Sequence, residues 1–435
     1  MDPITLGIIV AVGLIALMAI GTPIAFALGG VSLIALLYDR GLPELTYFGE
    51  TFFERLAEFG FVAIPMFILM GAAVASSPTG RDLYRSLDLW MGRLPAGLAV
   101  SNIGACSIFA ALSGSSPATC AAIGKMGIPE MRRRGYPDSV AAGSIAAGGT
   151  LGILIPPSVT MIVYGIATET SIGRLFLAGV IPGIMLVALF MAWSLYQTWK
   201  AGDVRLIGVT PYTWAQKIEI LPRVLPFLAI ILGVLYAMYG GIATPSETAA
   251  VGALMCLVIA MIIYKLWDPR ALWVVLRDST RESVMILFII AAAGVFSYML
   301  SSLFITQSIA EWIGTLDVNR WVLMAAINVF LLIAGFFLPP VAVILMAAPI
   351  LLPIITTAGF DPIWFAVVLT INMEIGLISP PVGLNLYVIQ GIGRGKVSIG
   401  DVIMGCLPFI GALVLLLVIL ILMPETALWL PDQMR

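Results

Sequence analysis

Residues 152–158 read GILIPPS, and residues 376–383 read GLISPPVG. Each stretch places a glycine and a Pro-Pro pair inside a predicted crossing segment of about 30 residues, longer than the ~20 residues that a regular helix needs to cross a bilayer. A regular helix does not continue through two adjacent prolines, because proline has no N–H group to donate. The two stretches therefore predict two helices that are broken at membrane depth.

Such breaks leave backbone carbonyl oxygens without helical partners. The first Pro pair is predicted to free the carbonyls of Gly152 and Ile153, and the second those of Gly376 and Leu377. In hydrocarbon each unpaired carbonyl is expensive, so it persists only where protein, water or an ion satisfies it. Carbonyl oxygens beside a glycine hinge suit a desolvated Na⁺. The alternative is a proline kink that packs against neighbouring helices.

The composition of the whole chain is that of a membrane protein. Of its 435 residues, 61% are hydrophobic and 11% are charged, against about 25% charged residues in a soluble domain. The net charge of −2 gives no basic field for nucleic acid, and the absence of His removes the usual catalytic base. The four cysteines lie in apolar runs without metal-binding spacing. We therefore predict an all-α polytopic membrane protein that lies in a lipid bilayer.

Apolar runs of suitable length predict ten membrane crossings. They cover about 4–20, 22–38, 59–76, 138–168, 172–198, 223–240, 244–265, 282–303, 362–391 and 400–423. Seventeen of the 22 Lys and Arg residues then fall on one side, which the positive-inside rule makes cytoplasmic, so both termini are predicted outside. Residues 46–60 and 268–281 are expected to lie on the membrane surface, either as separate amphipathic helices or as loops.

The two halves of the chain are similar at an offset of 222 to 226 residues. The matching pairs include Thr22-Pro23 with Thr244-Pro245, Gly135-Tyr136 with Gly359-Phe360, and Pro156-Pro157 with Pro380-Pro381. Residues 1–222 and 223–435 are therefore predicted to be repeats. Each half holds five predicted crossings, so the second half starts on the opposite side of the membrane and the repeats are inverted.

Two further apolar segments are interrupted by Gly, Ser and Pro. The interruptions read LSGSSPAT at 112–119 and AGFFLPP at 334–340. Their arms of roughly 16–20 residues are marginal for crossing and suit re-entrant hairpins. We predict hairpins at about 94–131 and 320–358, followed by the broken helices at about 138–168 and 362–391. Paired crossings are the alternative, and Ser115 and Ser116 either serve a site at the tip or cap the helix that follows.

Two acids, Glu247 and Glu374, are predicted to lie well inside the membrane. Intramembrane carboxylates are functional candidates by default. Glu247 follows Thr244-Pro245-Ser246 near a helix start, where the helix dipole favours an anion, so a structural role competes with a functional one. Glu374 lies two residues before the Gly376 break, and it either braces that break or serves an ion or a substrate.

Other kinds of membrane protein fit the sequence less well. The run QGIGRGKVS at 390–398 lacks the first glycine of a phosphate-binding loop, so ATP is not expected as the energy source. An intramembrane aspartyl protease needs two Asp residues that meet, whereas Asp39 and Asp401 fall on opposite faces of the predicted topology. A channel needs a continuous pore, which two blind hairpins do not suggest. An ion channel and an intramembrane enzyme remain the competing classes, and no enzymatic activity is expected.

Four stretches of the chain carry a family resemblance. They read LSGSSPATCAAIGKMGIPEMRRRGYP (112–137), AAGGTLGILIPPSVTMIVYG (146–165), GIATPSETAAVGA (241–253) and NMEIGLISPPVGLNLYV (372–388). With them the chain resembles, over essentially its whole length, the large membrane subunit of the tripartite ATP-independent periplasmic (TRAP) transporters, the dicarboxylate and sialic-acid transporter family. The resemblance implies an elevator-type, Na⁺-coupled importer of an organic acid in the bacterial inner membrane. It also implies two partners, a small four-helix membrane subunit and a periplasmic substrate-binding protein.

The resemblance further implies where the cations bind. Two Na⁺ sites would lie where the hairpin tips meet the broken helices, and Na⁺ would be the coupling ion, with no other cofactor. Carried onto this sequence, the first site is Ser113, Gly152, Ile155 and Pro156, and the second is Gly335, Gly376, Ser379 and Val382. The organic acid is expected between the tips, and on predicted geometry alone its neighbours would be Ser115, Ser116, Thr150, Asn372 and Asn385.

Overall fold

The structure, a computed structural model, describes residues 2–91, 96–201, 213–315, 319–393 and 397–433, and every regular element in these ranges is a helix. The α-helices are α1 (Pro3–Ala19), α2 (Ile24–Arg40), α3 (Glu44–Ala57), α4 (Ala63–Ala75), α5 (Thr79–Met91), α6 (Gly97–Ser113), α7 (Ser116–Arg133), α8 (Asp138–Thr150), α9 (Val159–Ala167), α10 (Ile172–Ala201), α11 (Trp214–Tyr239), α12 (Pro245–Tyr264), α13 (Pro269–Ser302), α14 (Ile305–Thr315), α15 (Arg320–Phe337), α16 (Pro340–Thr357), α17 (Pro362–Leu377), α18 (Leu384–Ile392), α19 (Ile399–Leu422) and α20 (Glu425–Asp432). Short 3₁₀ helices cover Phe59–Val62 and Leu151–Ile153.

Seven of these helices are long and apolar enough to cross a membrane: α10 to α13, α15, α16 and α19. An eighth span arises if α3 and the segment 59–75, which bend by 55° at their junction, are counted together. The predicted class of all-α polytopic membrane protein is therefore confirmed. The count of ten crossings and the placement of both termini outside stay predictions. Some residues used for them lie outside the described ranges: 94–95 of the first hairpin, and the basic residues Arg93, Arg205, Arg394, Lys396 and Arg435.

Two predicted helix boundaries are wrong. Residues 268–281 do not form a separate surface helix, because α13 runs without interruption from Pro269 to Ser302. A helix of 34 residues is about 50 Å long, so it can cross a bilayer core of about 30 Å and still continue into water, where its charged turns are solvated. Helix α11 begins at Trp214 and not near residue 223, because Thr213 and Gln216 form a capping box at its start.

The helices end and restart at the predicted interruptions. Helix α6 ends at Ser113 and α7 begins at Ser116, while α15 ends at Phe337 and α16 begins at Pro340. A second kind of break separates α8 from α9 and α17 from α18, and it holds Pro156-Pro157 and Pro380-Pro381, both in the cis form. We call 114–115 and 338–339 the first and second tips, and 154–158 and 378–383 the first and second breaks.

Close packing of small residues holds these elements together. Helix α8 packs against α7 and α19, and α17 packs against α15, α10 and α19. A methyl carbon placed on Gly143 of α8 would lie 2.3 Å from the carbonyl carbon of Gly405 in α19, so the two backbones touch. Small residues that permit such approach are the usual basis of helix association in lipid, where hydrophobicity offers no net attraction between helices. Helix α4 packs against α12 and α13 and also contacts α6.

Candidate functional site

The first tip lies directly against the first broken helix. A methyl carbon on Gly152 would lie 2.7 Å from the carbonyl oxygen of Ser115 and 2.9 Å from the amide nitrogen of Ser116. One residue earlier in the tip, Gly114 adopts a φ of +59°, and a methyl carbon there would lie 2.9 Å from the carbonyl oxygen of Pro157. The amide of Val159 donates to the carbonyl of Gly114 over 3.4 Å. Backbone therefore meets backbone at this contact, which leaves peptide oxygens close together in the interior.

Hydroxyl groups add further oxygen atoms to the first tip. The hydroxyls of Ser113 and Thr119 are 2.9 Å apart, and the Thr119 hydroxyl donates to the carbonyl of Ser115 over 2.8 Å. Ser115 occupies the N-cap position of α7, but its side chain makes no capping hydrogen bond. Behind the tip, Gly71 of α4 allows Ser113 to approach, since a methyl carbon on Gly71 would lie 2.8 Å from its Cα. The first tip thus gathers serine and threonine oxygens with carbonyl oxygens.

The second tip region contacts the second broken helix in the same way. A methyl carbon on Gly376 would lie 2.4 Å from the carbonyl oxygen of Gly335, so again two backbones touch. Next to this contact, the side-chain amide of Asn372 donates to Oδ1 of Asn328 over 2.6 Å and to the carbonyl of Val368 over 2.8 Å. The Oδ1 atom of Asn372 is buried and has no hydrogen-bond donor among the described residues. The contact at the second tip therefore has a buried side-chain oxygen nearby, Oδ1 of Asn372, that no described donor satisfies.

One side chain links the two halves of the site. Asn385, which follows the second break, donates from Nδ2 to the Ser116 hydroxyl over 2.8 Å and to the carbonyl of Ala146 over 3.1 Å. Asn385 is fully buried, and its Oδ1 finds no donor in the part of the chain that the structure describes. The predicted substrate neighbours Ser116 and Asn385 are therefore in direct contact, and the second broken helix is tied to the first tip.

Two of the four carbonyls that were predicted to be unpaired have a donor. The hydroxyl of Ser158 donates to the carbonyl of Ile153 over 2.6 Å, because Ser158 caps α9 and its side chain turns back across the break. The amide of Ser379 reaches the carbonyl of Gly376 over a long 3.4 Å. The prediction of a free carbonyl is therefore wrong for Ile153 and for Gly376, although the hydrogen bond to Gly376 is long and correspondingly weak.

The remaining predicted site residues differ in exposure. Thr150 is fully buried, and its hydroxyl donates to the carbonyl of Ala147 over 2.8 Å, so its hydrogen is engaged within α8. Pro156 is buried, and Ile155 is half-buried beside Gly183 of α10. In the second break Ser379 is buried, but Val382 is 38% exposed and the prolines before it are also exposed. The first break is therefore closed in by protein, and the second is open on one side.

Glu247 lies apart from the tips and breaks. Its carboxylate accepts hydrogen bonds of 2.8 Å from the backbone amide and from the hydroxyl of Thr244, which completes a capping box at the start of α12. The residue is exposed, and α12 packs mainly on α4 and α11. Its placement fits the structural alternative, that of a helix cap, and the position of Glu247 inside the membrane stays a prediction.

Glu374 is placed differently. Its side chain is fully buried within α17, and neither carboxylate oxygen has a hydrogen-bond partner among the described residues. The predicted bracing role would require donors of the second break to reach the carboxylate, and the described residues provide none.

Sequence reasoning missed three participants of the site: Gly71, Thr119 and Asn328. Asn328 could have been predicted from the sequence, because it is the only residue with a side-chain amide in the apolar run 321–357. Thr119 follows the first tip by one helical turn, a position from which a hydroxyl reaches back to the backbone. Nothing in the sequence around Gly71 distinguishes it from the other small residues of α4.

The site is rich in neutral oxygen atoms and poor in soft ligands. Within the described residues no group of three or more Cys, Asp or Glu side chains comes together as a metal centre. Carbonyl, hydroxyl and amide oxygens are the donors that hard cations take in proteins. The two tip contacts therefore present the oxygen atoms that hard cations take, and the described residues offer no cluster for a transition metal.

The fold is similar to that of the YdaH transporter of Alcanivorax borkumensis, with a TM-score of 0.66 over 94% of this chain and 97% of that chain. The two sequences are 14% identical, so this similarity concerns the fold alone.

The chain belongs to the family described as tripartite ATP-independent periplasmic transporter, DctM component, whose profile matches residues 11–426. It is 38% identical over 395 residues to the C4-dicarboxylate TRAP transporter large permease protein DctM of Pseudomonas aeruginosa, covering 87% of this chain and 88% of that protein. It is 34% identical over 388 residues to the isethionate TRAP transporter permease protein DctMQ of Oleidesulfovibrio alaskensis, covering 88% of this chain and 60% of that protein. The resemblance to the large TRAP permeases is therefore confirmed, and the relatives are named as transporter permeases rather than as enzymes.

Proposed function

We propose that this chain is the transport subunit of a Na⁺-coupled importer of an organic carboxylate. The coupling ions bind where each tip meets its broken helix, and the organic acid binds between the two tips. The observation that carries the proposal is the paired backbone contact, Ser115 with Gly152 and Gly335 with Gly376. The Ser115 carbonyl also accepts from Thr119, and in a bilayer the peptide oxygens that lack such a donor need another partner, which a dehydrated cation supplies.

The first proposed Na⁺ site consists of Ser113, Gly152, Ile155 and Pro156, and the second of Gly335, Gly376, Ser379 and Val382. Carbonyls crowded by a glycine contact repel one another unless a positive charge lies between them, so cation binding would draw each tip onto its break. Because the substrate is an anion, a bound cation next to it would also favour substrate binding. This reciprocity is the physical basis of coupling between the two solutes.

The carrier is proposed to work by an elevator motion of the elements α6–α9 and α15–α18. The Asn385 hydrogen bonds to Ser116 and Ala146 tie elements of both halves into one body, which favours joint movement. Helix α12 packs on both α4 and α11, and these three helices would belong to the static frame. The two proposed inverted repeats, residues 1–222 and 223–435, would supply the two states of opposite sidedness.

Two further proteins are proposed to complete the transporter. A periplasmic binding protein would capture the organic acid and deliver it to the outer face, and a small membrane subunit would extend the frame. The family is described as tripartite, and the DctMQ relative is longer than the part that this chain matches, which leaves room for such a subunit. The bacterial inner membrane, with both termini in the periplasm, is the proposed location. A C4-dicarboxylate, as in the name of the Pseudomonas relative, is the first candidate substrate, with sialic acid and related carboxylates as alternatives.

Uptake by proteoliposomes tests the proposal. The chain is reconstituted with its small subunit, the cognate binding protein is loaded with radioactive C4-dicarboxylate, and an inward Na⁺ gradient is imposed. We expect saturable accumulation that disappears when K⁺ replaces Na⁺ or when the binding protein is left out. Equal uptake without Na⁺ would contradict the coupling. Conduction without the binding protein would instead indicate a channel.

A further inference from the structure

Glu374 is a buried acid that has no hydrogen-bond partner among the described residues. All residues of α17 from 363 to 377 are buried, and the carboxylate of Glu374 lies in this fully enclosed stretch. Both carboxylate oxygens lack a hydrogen-bond donor among the described residues. It is also the only acid in the ranges 97–127, 139–167, 321–357 and 362–392, which contain both tips and both breaks.

The carboxylate does not belong to the second proposed Na⁺ site. Helical periodicity places Glu374 about 160° around α17 from Gly376, the residue that touches Gly335. It shares its face instead with Thr370, one turn earlier and about 40° away. Besides α15 and α16, helix α17 packs against α10, α19 and the 3₁₀ turn Leu151–Ile153 of the first half. The carboxylate is therefore directed away from the second tip.

A group in this position cannot be left without a partner. A buried carboxylate that neither a cation nor a donor compensates is among the most unfavourable groups in a protein interior. A neutral carboxylic acid also needs a partner, because its O–H group must find an acceptor. The described residues offer hydrogen bonds to neither oxygen. A cation held between the two oxygens satisfies both at once and needs no protein donor.

We propose that Glu374 is the anionic ligand of an additional Na⁺ site in the transport bundle, separate from the two tip contacts. The Thr370 hydroxyl, whose hydrogen is donated to the carbonyl of Ala366 over 2.8 Å, offers its free lone pair on the same face. The ligand is a small hard monovalent cation, because carboxylate and hydroxyl oxygens suit it and a single carboxylate balances a single charge. This inference rests on the proposed Na⁺ coupling. It differs from the two tip sites, which consist of neutral oxygens, because here the charge of the cation is balanced by a carboxylate.

The test counts bound cations in the whole chain, reconstituted with its small subunit in lipid nanodiscs. Radioactive Na⁺ alone is the probe, without organic acid or binding protein. We expect Glu374→Gln to bind one Na⁺ fewer per chain than the unaltered protein. Glu374→Asp, which keeps the charge, should retain that ion with lower affinity. The matched control is Glu247→Gln, which removes a charge from an exposed helix cap where Gln also caps, and it should bind as many ions as the unaltered protein.

A second readout does not depend on the Gln variant being folded. Infrared difference spectra, recorded on adding Na⁺ to the unaltered protein, should show a carboxylate stretching band that shifts, and Glu247→Gln should keep it. No such band, or an unchanged ion count in Glu374→Gln, would overturn the site at Glu374 and leave the tip sites standing. If the unaltered protein binds no Na⁺ at all, the proposed coupling fails with it.

Discussion

Replacing Gly376 by alanine is the sharpest test of the backbone contact between tip and broken helix. The added methyl carbon would lie 2.4 Å from the carbonyl oxygen of Gly335 and 2.6 Å from its carbonyl carbon. These atoms belong to the backbone of α15, so they cannot move aside as a flexible side chain would. The expected result is that the second tip is pushed away from its break while the rest of the chain keeps its fold.

The size of the effect follows from that distance. Ordinary contacts between such atoms begin near 3.5 Å, so the second tip must retreat by about 1 Å. Overpacking of this kind costs about 1 to 3 kcal/mol, which corresponds to a loss of about 5- to 150-fold in the affinity of a ligand that needs the tip in place. Gly152→Ala meets Ser115 at 2.7 Å, so the same reasoning gives a smaller displacement of the first tip.

The assay is the Na⁺ concentration that gives half-maximal uptake in proteoliposomes. Gly411→Ala in α19 is the matched control, because no atom lies within 4 Å of the added carbon and alanine favours a helix. We expect the half-saturating Na⁺ concentration to rise most for Gly376→Ala, less for Gly152→Ala and not at all for Gly411→Ala. A Gly376→Ala protein whose Na⁺ dependence stays within twofold of the unaltered one would refute the reasoning.

Three other substitutions separate the roles of neighbouring groups. Ser379→Leu, which forces a large side chain into the buried start of the second break, should abolish Na⁺-dependent uptake while the protein still inserts and elutes as a single species. Glu247→Ala should lower the unfolding temperature by removing the bonds to Thr244 and leave half-saturation by Na⁺ unchanged, with Glu247→Gln as the stable control. Asn385→Ala removes the bonds to Ser116 and to the Ala146 carbonyl, so the maximal uptake rate should fall and stability should drop by about 1 to 3 kcal/mol in denaturant unfolding. An Asn385→Ala protein with an unchanged rate would show that this link is dispensable for movement.

The positions of tips and breaks were predictable because their chemistry is local. Proline cannot donate to the preceding turn wherever it occurs inside a helix, and two prolines together remove two bonds. Isolated prolines did not have this effect: Pro182 and Pro408 lie within the continuous helices α10 and α19. For both breaks and the second tip, a Pro-Pro pair with a glycine a few residues before it was therefore the informative pattern, whereas the first tip was marked by Gly114 and two serines together with Pro117.

The partners of individual side chains were not predictable in the same way. Ser116 and Asn385 are 269 residues apart in sequence, and no periodicity links them. The Ser158 hydroxyl donates a hydrogen bond to the Ile153 carbonyl, and this contact depends on the path that the backbone takes through the first break. The polar residues at 268–281 indicate that the chain passes from lipid to water there. They do not mark a separate surface segment, because α13 continues through them. Polarity reports the environment of a helix, and α13 passes through both environments.

Under the proposed duplication, the two halves would be unequal in charge although they share a backbone plan. At an offset of 224 residues Thr150 corresponds to Glu374 and Gly148 to Asn372, and at 222 Cys106 corresponds to Asn328. The corresponding pairs touch in both halves: a methyl carbon on Gly148 would lie 2.9 Å from the Cys106 sulfur, and Asn372 donates to Asn328. The first half fills these positions with small or neutral groups, and the second half fills them with amides and a carboxylate. Since an uncompensated charge in the interior is far more expensive than a hydroxyl, the second half should depend more strongly on bound cations, and removing Na⁺ should loosen α17 before it loosens α8.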